Sequence, residues 1–273
     1  MHKKRVLSMH PYQNKVVVIT GGSGGIGQEL CKQLIGQGAQ VACLDLTTDN
    51  ALQHENALNI AVDITDYSQL ENAIEQIIER FQRIDVLINN AGITHMSRFT
   101  DSSKELADKI MAVNYTAAVD ITRLCLEQLI TNKGQIIAMS SVAGFAPLYG
   151  RSLYAGSKHA MEGFFYSLGS ELKDKGVSVS VICPSFVRSR PELKAQVNAG
   201  VSSPGALKKN TNGEQISPQV AASRILAAGH NGKRTLYLGK VANVARWLFA
   251  LVPATYLKIM TKGAKDEFNS YPK

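Results

Sequence analysis

Cysteine is scarce in this chain of 273 residues, and the four present, Cys31, Cys43, Cys125 and Cys183, stand far apart in apolar stretches. No Cys-x-x-Cys spacing and no accompanying histidine cluster occurs, so the cysteines read as reduced core residues, with neither a disulfide framework nor a metal site expected. A stripe of lysine and arginine with interleaved aromatics is also lacking: the 30 basic residues are dispersed, and no nucleic-acid partner is expected. After Lys3, Lys4 and Arg5 no apolar h-region follows, which argues against a secretory signal peptide and for a cytoplasmic protein. Nor is there an uninterrupted apolar run long enough to span a bilayer. The richest stretch, Val241 to Met260, is broken by Pro253 and has only eleven residues between Arg246 and Lys258.

What is present reads as globular. The hydrophobic share is 45% and mean hydropathy is near zero, at −0.06, values ordinary for a chain that buries a substantial core. An excess of 30 basic over 22 acidic residues gives +8. That charge favours anionic partners such as nucleotide phosphates, coenzyme A, acidic carrier proteins or anionic membrane surfaces.

The pattern along the chain alternates strand with helix. Val16 to Ile19 is a β-branched run typical of a buried parallel strand, and it runs straight into Thr20-Gly21-Gly22-Ser23-Gly24-Gly25-Ile26-Gly27, which opens a helix through Leu30 and Leu34. Glycines suit such a turn because side chains would keep the backbone from a pyrophosphate, whose charge the free amides at the helix start favour. Gly22, Gly24 and Gly27 fit G-x-G-x-x-G, whereas Gly21, Gly25 and Gly27 fit T-G-x-x-x-G-x-G, so the glycines alone do not choose between dinucleotide-binding subfamilies. A second strand, Gln40 to Leu44, ends at Asp45, eighteen residues beyond Gly27. A carboxylate there can accept both adenosine ribose hydroxyls and would repel a 2′-phosphate, which argues for NAD over NADP.

Asn59 to Val62 reads as a third strand, closed by Asp63-Ile64; a helix begins around Asp66 with Leu70, Ile74, Ile77, Ile78 and Phe81 on one face; and Val86 to Ile88 runs into Asn89-Asn90-Ala91-Gly92. A long helical segment from about Ser102 to Leu129 carries the stripe Ile110, Val113, Ala117, Ile121, Leu124, with Asn114 as a mediocre helix former in its middle. A fifth strand, Gln135 to Met139, delivers Ser140 and Ser141 to the sheet edge, and Val177 to Cys183 ends in Pro184-Ser185-Phe186-Val187. Ser217-Pro218 caps a helix through Ala228, and Thr235 to Leu238 is a last short strand. This alternation means a parallel sheet covered on both faces.

Tyr154-Ala-Gly-Ser-Lys158 heads a helix whose stripe is Met161, Phe165, Leu168 and Leu172, and Tyr154 and Lys158 extend that stripe backward onto the inward face. A lysine placed there needs an anion, a ligand or a hydrogen-bonding group.

Taken together and in order, these segments resemble the short-chain dehydrogenase/reductase family over roughly residues 15 to 240. The resemblance rests on the turn Thr20 to Gly27, on Asp63, on Asn89-Asn90-Ala91-Gly92, on Asn114, on Ser141 thirteen residues before Tyr154, and on Lys158. It implies a Rossmann-type doubly wound parallel sheet of about seven strands in a three-layer α/β/α sandwich. Residues 1–14 would then form an N-terminal extension, 15–240 the catalytic domain with a substrate lid at about 188–216, and 241–273 an amphipathic tail packed on the domain, on a partner subunit or on a membrane. It further implies the catalytic residues Asn114, Ser141, Tyr154 and Lys158. A nicotinamide dinucleotide would be held by Gly21, Ser23, Gly24, Gly25, Ile26, Gly27, Asp45, Asp63, Ile64, Asn90, Ala91, Gly92, Tyr154, Lys158, Pro184 and Val187. Tyr154 would exchange the proton of the reacting oxygen, Lys158 would favour its phenolate and hold the nicotinamide ribose, Ser141 would orient the substrate, and Asn114 would hold a water leading to Lys158.

Two departures from the family pattern stand out. Ser185 replaces the glycine usual after Pro184, which should narrow the nicotinamide pocket slightly and alter the loop, and Ser189 replaces a frequent threonine. The expected activity is interconversion of a secondary alcohol and a ketone with NAD, on a lipophilic substrate of lipid, steroid or acyl type. The alternatives are an NADPH-dependent ketone or 3-oxoacyl reductase and, in another class, a nucleotide-binding scaffold without turnover. Family resemblance implies a homodimer or homotetramer, and the tail admits peripheral membrane contact.

Overall fold

Alternating side chains decide how this chain is layered. All five residues of β1 (Val16–Thr20) are buried; Val16 and Val18 join one apolar cluster, and Val17 and Ile19 join another. A strand buried on both faces belongs inside a covered sheet.

The computed structural model describes residues 10–185, 187 and 215–269. Together with β1, strands β2 (Gln40–Asp45), β3 (Ala57–Ala61), β4 (Val86–Asn89), β5 (Gln135–Met139), β6 (Ser178–Pro184) and β7 (Thr235–Leu238) form one parallel sheet in the order β3-β2-β1-β4-β5-β6-β7. The order reverses between β1 and β4, and open α/β sheets bind ligands at the carboxyl ends of the strands flanking such a reversal.

One face is covered by α1 (Gly25–Gly36) and α6 (Pro218–His230). They are tied by Gln33, whose amide donates to the Gln219 carbonyl at 2.9 Å and whose Oε1 accepts from Ser223 at 3.0 Å. The other face is covered by α2 (Tyr67–Phe81), α4 (Ala117–Thr131) and α5 (Ser152–Glu171). The helices start where short polar side chains satisfy free amides. Asp66 accepts from the Ser68 and Gln69 amides, and Ser217 accepts from Val220 ahead of Pro218, each cap worth about 1 kcal/mol. Gln82 ends α2 in the left-handed region at φ 62°.

Two expectations shift. The third strand starts at Ala57, because Val41 donates to the Asn56 carbonyl and pairs with Ala57. As an edge strand it is half-buried from Ala57 to Ile60 and exposed at Ala61, so it lacks the continuous buried run that marks the inner strands. The long helix is also not continuous. α3 (Lys104–Met111) passes through a π-helical turn, Ala112–Thr116, into α4. The extra residue advances the phase of the buried stripe, so Cys125 is fully buried where an unbroken period points to the half-buried Leu124.

Beyond β7, α7 (Lys240–Leu251) and α8 (Pro253–Asn269) are separated by Val252, with Pro253 opening α8. Ala242, Ala245 and Tyr256 pack on Val142 and Ala146, and the Tyr256 hydroxyl donates to the Pro147 carbonyl at 3.0 Å. The tail is thereby fixed on the loop that follows β5. Among the described residues no helix is long and apolar enough to cross a membrane.

Candidate active site

The glycine turn is built from below and left open above. A Cβ at Gly22 would overlap Cys43 Sγ, and one at Gly27 would overlap the Gly21 carbonyl oxygen, so these two positions must be glycine for the turn to lie on β2 and for α1 to close on the turn. Gly21, at φ 67°, takes a conformation that other residues rarely adopt. At Gly24 and Gly25 nothing stands within 4 Å of where a Cβ would be, and no side chain caps the first turn of α1. Open space above uncapped helix-start amides fits a pyrophosphate.

Asp45 anchors the same turn. One carboxylate oxygen accepts from the Ser23 amide at 3.0 Å and the other from the Leu46 amide at 2.9 Å. Ser23 is itself buried, its hydroxyl donating to the Thr47 carbonyl at 3.1 Å. An ionised carboxylate has about four acceptor positions, so Asp45 keeps two for ribose hydroxyls after serving both amides.

From the other side of the sheet reversal, Asn90 ties the end of β4 to the turn. Its side-chain amide donates to the Thr20 and Gly21 carbonyls at 3.0 and 2.9 Å, and the Asn90 and Ala91 amides both donate to Thr20 Oγ1. Asp63 accepts from the Thr65 amide and hydroxyl at the end of β3, with Ile64 half-buried beside it.

Asn114 is fully buried, in the π turn. Its Oδ1 accepts from the Ile93 amide at 2.8 Å, and its Nδ2 donates to the Ile93 carbonyl and to Ser157 Oγ, both at 2.9 Å. A Cβ on Gly92 would lie 3.2 Å from Asn114 Oδ1 and 3.4 Å from Lys158 Nζ, so the two groups flank Gly92.

Lys158 is only 4% exposed. Its ammonium donates to the Met139 carbonyl at 2.8 Å and approaches Met161 Sδ at 3.3 Å. Burial pulls it down to about 8, opposed by the Cys183 thiol and the Glu162 carboxyl nearby. Burial likewise raises the phenol of half-buried Tyr154, while a hydrogen bond from Ser141 and the charge of Arg151 pull it back. With its ammonium on Met139, Lys158 is not among the groups that draw the phenol down; Arg151, held by Thr94 Oγ1 at 2.5 Å, takes that part. Ser141 is half-buried, accepting from the Ala143 amide at 3.2 Å, whereas Ser140 is turned inward onto Glu162 at 2.7 Å.

Pro184 closes β6. The Ser185 hydroxyl donates to the Leu238 carbonyl at 3.0 Å and lies over Gly239, where a Cβ would overlap it. The serine is thus absorbed at the end of β7 by a glycine at φ 102°. Val187 pairs with Ile216 in a parallel bridge. The expected lid at 188–216 lies outside the described residues except for Gln215 and Ile216.

Sequence reasoning missed Glu162. It is 7% exposed, lies one turn beyond Lys158, and bonds both Ser140 and Cys183. Its spacing of four from Lys158 and three from Phe165 was the available signal, since that places it on the inward stripe.

Comparison with known proteins bears on this arrangement. A family model described as short chain dehydrogenase matches residues 15–201. Dehydrogenase/reductase SDR family member 7B of Mus musculus is 30% identical over 280 residues, spanning 98% of this chain and 86% of its own. Dehydrogenase/reductase SDR family protein 7-like of Anopheles gambiae is 31% identical over 271 residues, spanning 94% and 84%. Among solved structures, a short chain dehydrogenase from Burkholderia cenocepacia in complex with NADP has a TM-score of 0.77 at 23% identity, covering 91% of this chain and 98% of that one, a likeness of fold. An apo SCOR enzyme from Clostridium thermocellum has a TM-score of 0.72 at 26% identity, covering 85% and 94%.

Proposed function

The chain belongs to the short-chain dehydrogenase/reductase family, and on that premise we propose that it interconverts a secondary alcohol and a ketone on a lipophilic substrate, with NAD as the preferred dinucleotide. Family membership makes it an oxidoreductase that uses NAD(P). The observation that supports the finer reading is the gathering of Asn114, Ser141, Tyr154 and Lys158 at one sheet edge, beside an open glycine turn anchored by Asp45.

When bound, the nicotinamide supplies the hydride acceptor or donor. The glycine turn from Gly21 to Gly27 would hold the pyrophosphate, Asp45 the adenosine ribose, Asp63 and Ile64 the adenine side, and Asn90, Ala91 and Gly92 the middle of the molecule. Pro184 and Val187 would border the nicotinamide. Tyr154 gives or takes the proton of the substrate oxygen. Its burial disfavours the phenolate, so Ser141 and Arg151 do necessary work in drawing it back. Ser141 orients the substrate oxygen, and Lys158, which here donates to the Met139 carbonyl, would hold the nicotinamide ribose hydroxyls.

The lipophilic assignment is supported by the tail. α7 and α8 pack on the loop from Val142 to Pro147, directly after Ser141. The outer side of α7 exposes Val244, Trp247 and Leu251 along an open apolar groove of about 500 Å³, and the two helices carry Lys240, Lys258 and Lys262 in sequence. We assign the inner side to the substrate mouth and the outer side to a second copy in a homodimer or homotetramer, or to the surface of an anionic membrane bordering the cytoplasm.

The test is a dehydrogenase screen over secondary alcohols and ketones graded in chain length, with NAD and NADP in parallel. The expected result is kcat/KM rising with chain length and higher with NAD. Activity confined to short polar alcohols would refute the substrate class, and higher activity with NADP would refute the cofactor.

A further inference from the structure

A carboxyl lies buried beneath the proposed active site, and no step assigned so far uses it. Glu162 sits one helical turn beyond Lys158 on α5. Oε1 accepts from Ser140 Oγ at 2.7 Å and from Cys183 Sγ at 3.4 Å. The preceding turn of α5 reaches Met139, the last residue of β5 and the neighbour of Ser140, through Lys158, which donates to the Met139 carbonyl at 2.8 Å. Two consecutive residues at the end of β5 are therefore held by two consecutive turns of one helix, and the next residue is Ser141. On β6, Cys183 immediately precedes Pro184 and Ser185, and the Ser140 amide donates to the Ile182 carbonyl at 2.8 Å.

Space is kept for this carboxyl by the backbone. A Cβ on Gly144 would overlap both Glu162 Oε1 and Ser140 Oγ. Gly144 ends the short turn that Ser141 begins, so the chain that presents Ser141 is shaped to cover Glu162. Burial pushes the carboxyl up from its ordinary range, and Ser140, Cys183, His159 and Lys158 all favour its charged form. The titratable groups that feel its charge are Lys158 and Tyr166 on α5, Cys183 on β6 and Tyr237 on β7.

We propose that Glu162 is a positioning residue of this active site. Its buried carboxylate fastens the ends of β5 and β6 to the helix turn that presents Lys158, and supplies the negative charge facing that ammonium. Ser141, Tyr154 and Lys158 stand on two separate elements, and Glu162 sets their relative placement. This rests on the assignment of Lys158 and Tyr154 to the chemistry, so the test includes a measurement independent of turnover.

The experiment follows the Lys158 ammonium by NMR in protein labelled with 13C at lysine Cε, the resonance being assigned by its loss in Lys158→Met. In the wild type the expected midpoint is about 8. Glu162→Gln keeps the acceptor oxygen and removes the charge, and it lowers the midpoint by about one pH unit. With the best alcohol of the screen, kcat falls about ten-fold while KM and NADH affinity change less than about three-fold. A variant that is folded with an unmoved midpoint, or that shifts the midpoint with kcat intact, overturns the proposal, as does a loss of melting temperature alone. Should Glu162→Gln not fold, Ser140→Ala removes only one donor to the carboxylate. The charge facing Lys158 remains while one anchor of the carboxylate is lost, so kcat falls with the midpoint little moved, and an unchanged kcat there is equally fatal. A shifted midpoint in a protein that oxidises no alcohol sinks the proposed reaction and leaves the link between Glu162 and Lys158 standing.

Discussion

Asn114 Nδ2 donates to Ser157 Oγ at 2.9 Å, joining the π turn between α3 and α4 to the helix that carries Tyr154 and Lys158. Ser157 in turn donates to the Tyr154 carbonyl at 2.8 Å. One fully buried amide therefore connects the Ile93 backbone, the π turn and the backbone of the candidate proton-transfer residue. Asn114→Ala strands the Ile93 amide and carbonyl, at a cost of about 2–3 kcal/mol. The expected melting temperature is lower by about 5–10 °C, with a drop in kcat larger than the loss of folded protein explains. Differential scanning calorimetry and turnover on the same samples separate the two effects. A variant with wild-type kcat would show that Asn114 only supports the fold.

Tyr154→Phe removes the phenolic oxygen and leaves the ring in place. If Tyr154 moves the substrate proton, turnover falls about 10²- to 10⁴-fold, while NADH fluorescence titration gives a dissociation constant within about three-fold of wild type. Substantial residual turnover would defeat the assignment. The pH dependence has a definite sign. Alcohol oxidation needs the phenolate, and burial raises this phenol, so kcat/KM for oxidation climbs as pH rises toward the phenol's midpoint. Ketone reduction needs the phenol, so it stays level over that range and falls only as pH passes through the raised midpoint.

Asp45 has two functions that substitution can separate. Its carboxylate holds the Ser23 and Leu46 amides, and its charge would repel a 2′-phosphate. Asp45→Ala would loosen the glycine turn as well as remove the charge. Asp45→Asn removes the charge and keeps one acceptor oxygen, so it loses one of the two amide contacts where Asp45→Ala loses both. NADH should bind wild type more tightly than NADPH, and Asp45→Asn should shrink that preference about ten-fold, or about 1.4 kcal/mol. An unchanged ratio would mean that the carboxylate serves the turn alone.

How far the sequence could be read depended on the range of the interactions involved. Val16 to Thr20 and Ile136 to Met139 are unbroken apolar or β-branched segments beside turn residues, and their local pattern places them within one residue of the observed strands. The glycine turn was equally legible, because a Cβ conflict such as that between Gly27 and the Gly21 carbonyl is itself local. The π turn was not. Ala112-Val113-Asn114-Tyr115-Thr116 also fits an ordinary helix, and what favours the inserted residue is Asn114 meeting Ile93 and Ser157, groups 21 and 43 residues away. Glu162 was missed for a related reason. A glutamate in a helix reads as a solvated position until Ser140 and Cys183, on two other elements, are brought over it. Lys158 drew attention as a buried cation, yet its carbonyl partner on Met139 became identifiable only once β5 and α5 were packed together.

The base of β4 provides a test of stability away from the chemistry. Asp85 is 2% exposed and receives the Val16 amide at 3.0 Å, Lys15 Nζ at 3.0 Å, and Arg83 through Nε at 2.8 Å and Nη2 at 2.6 Å. Burial alone would raise this carboxyl, but Arg83, the Val16 amide and Lys15 outweigh it and hold the group below its ordinary range. Because the folded state binds this proton less readily than the unfolded chain, the stabilisation is fully present above the unfolded value of about 3.9 and is lost as pH falls through the lower folded value. Lys15 and Arg83 are 41% and 44% exposed, so water screens part of the attraction. A cost of about 2 kcal/mol for Asp85→Asn is accordingly more realistic than that of breaking a fully buried pair. At pH 7 the variant should melt about 4–8 °C below wild type. The gap should persist to about pH 4 and then narrow as the wild type protonates. Thermal melts of both proteins at pH 7, 5, 4 and 3 measure it, and a gap that stays constant down to pH 3 would show that the asparagine costs packing at this site and not charge.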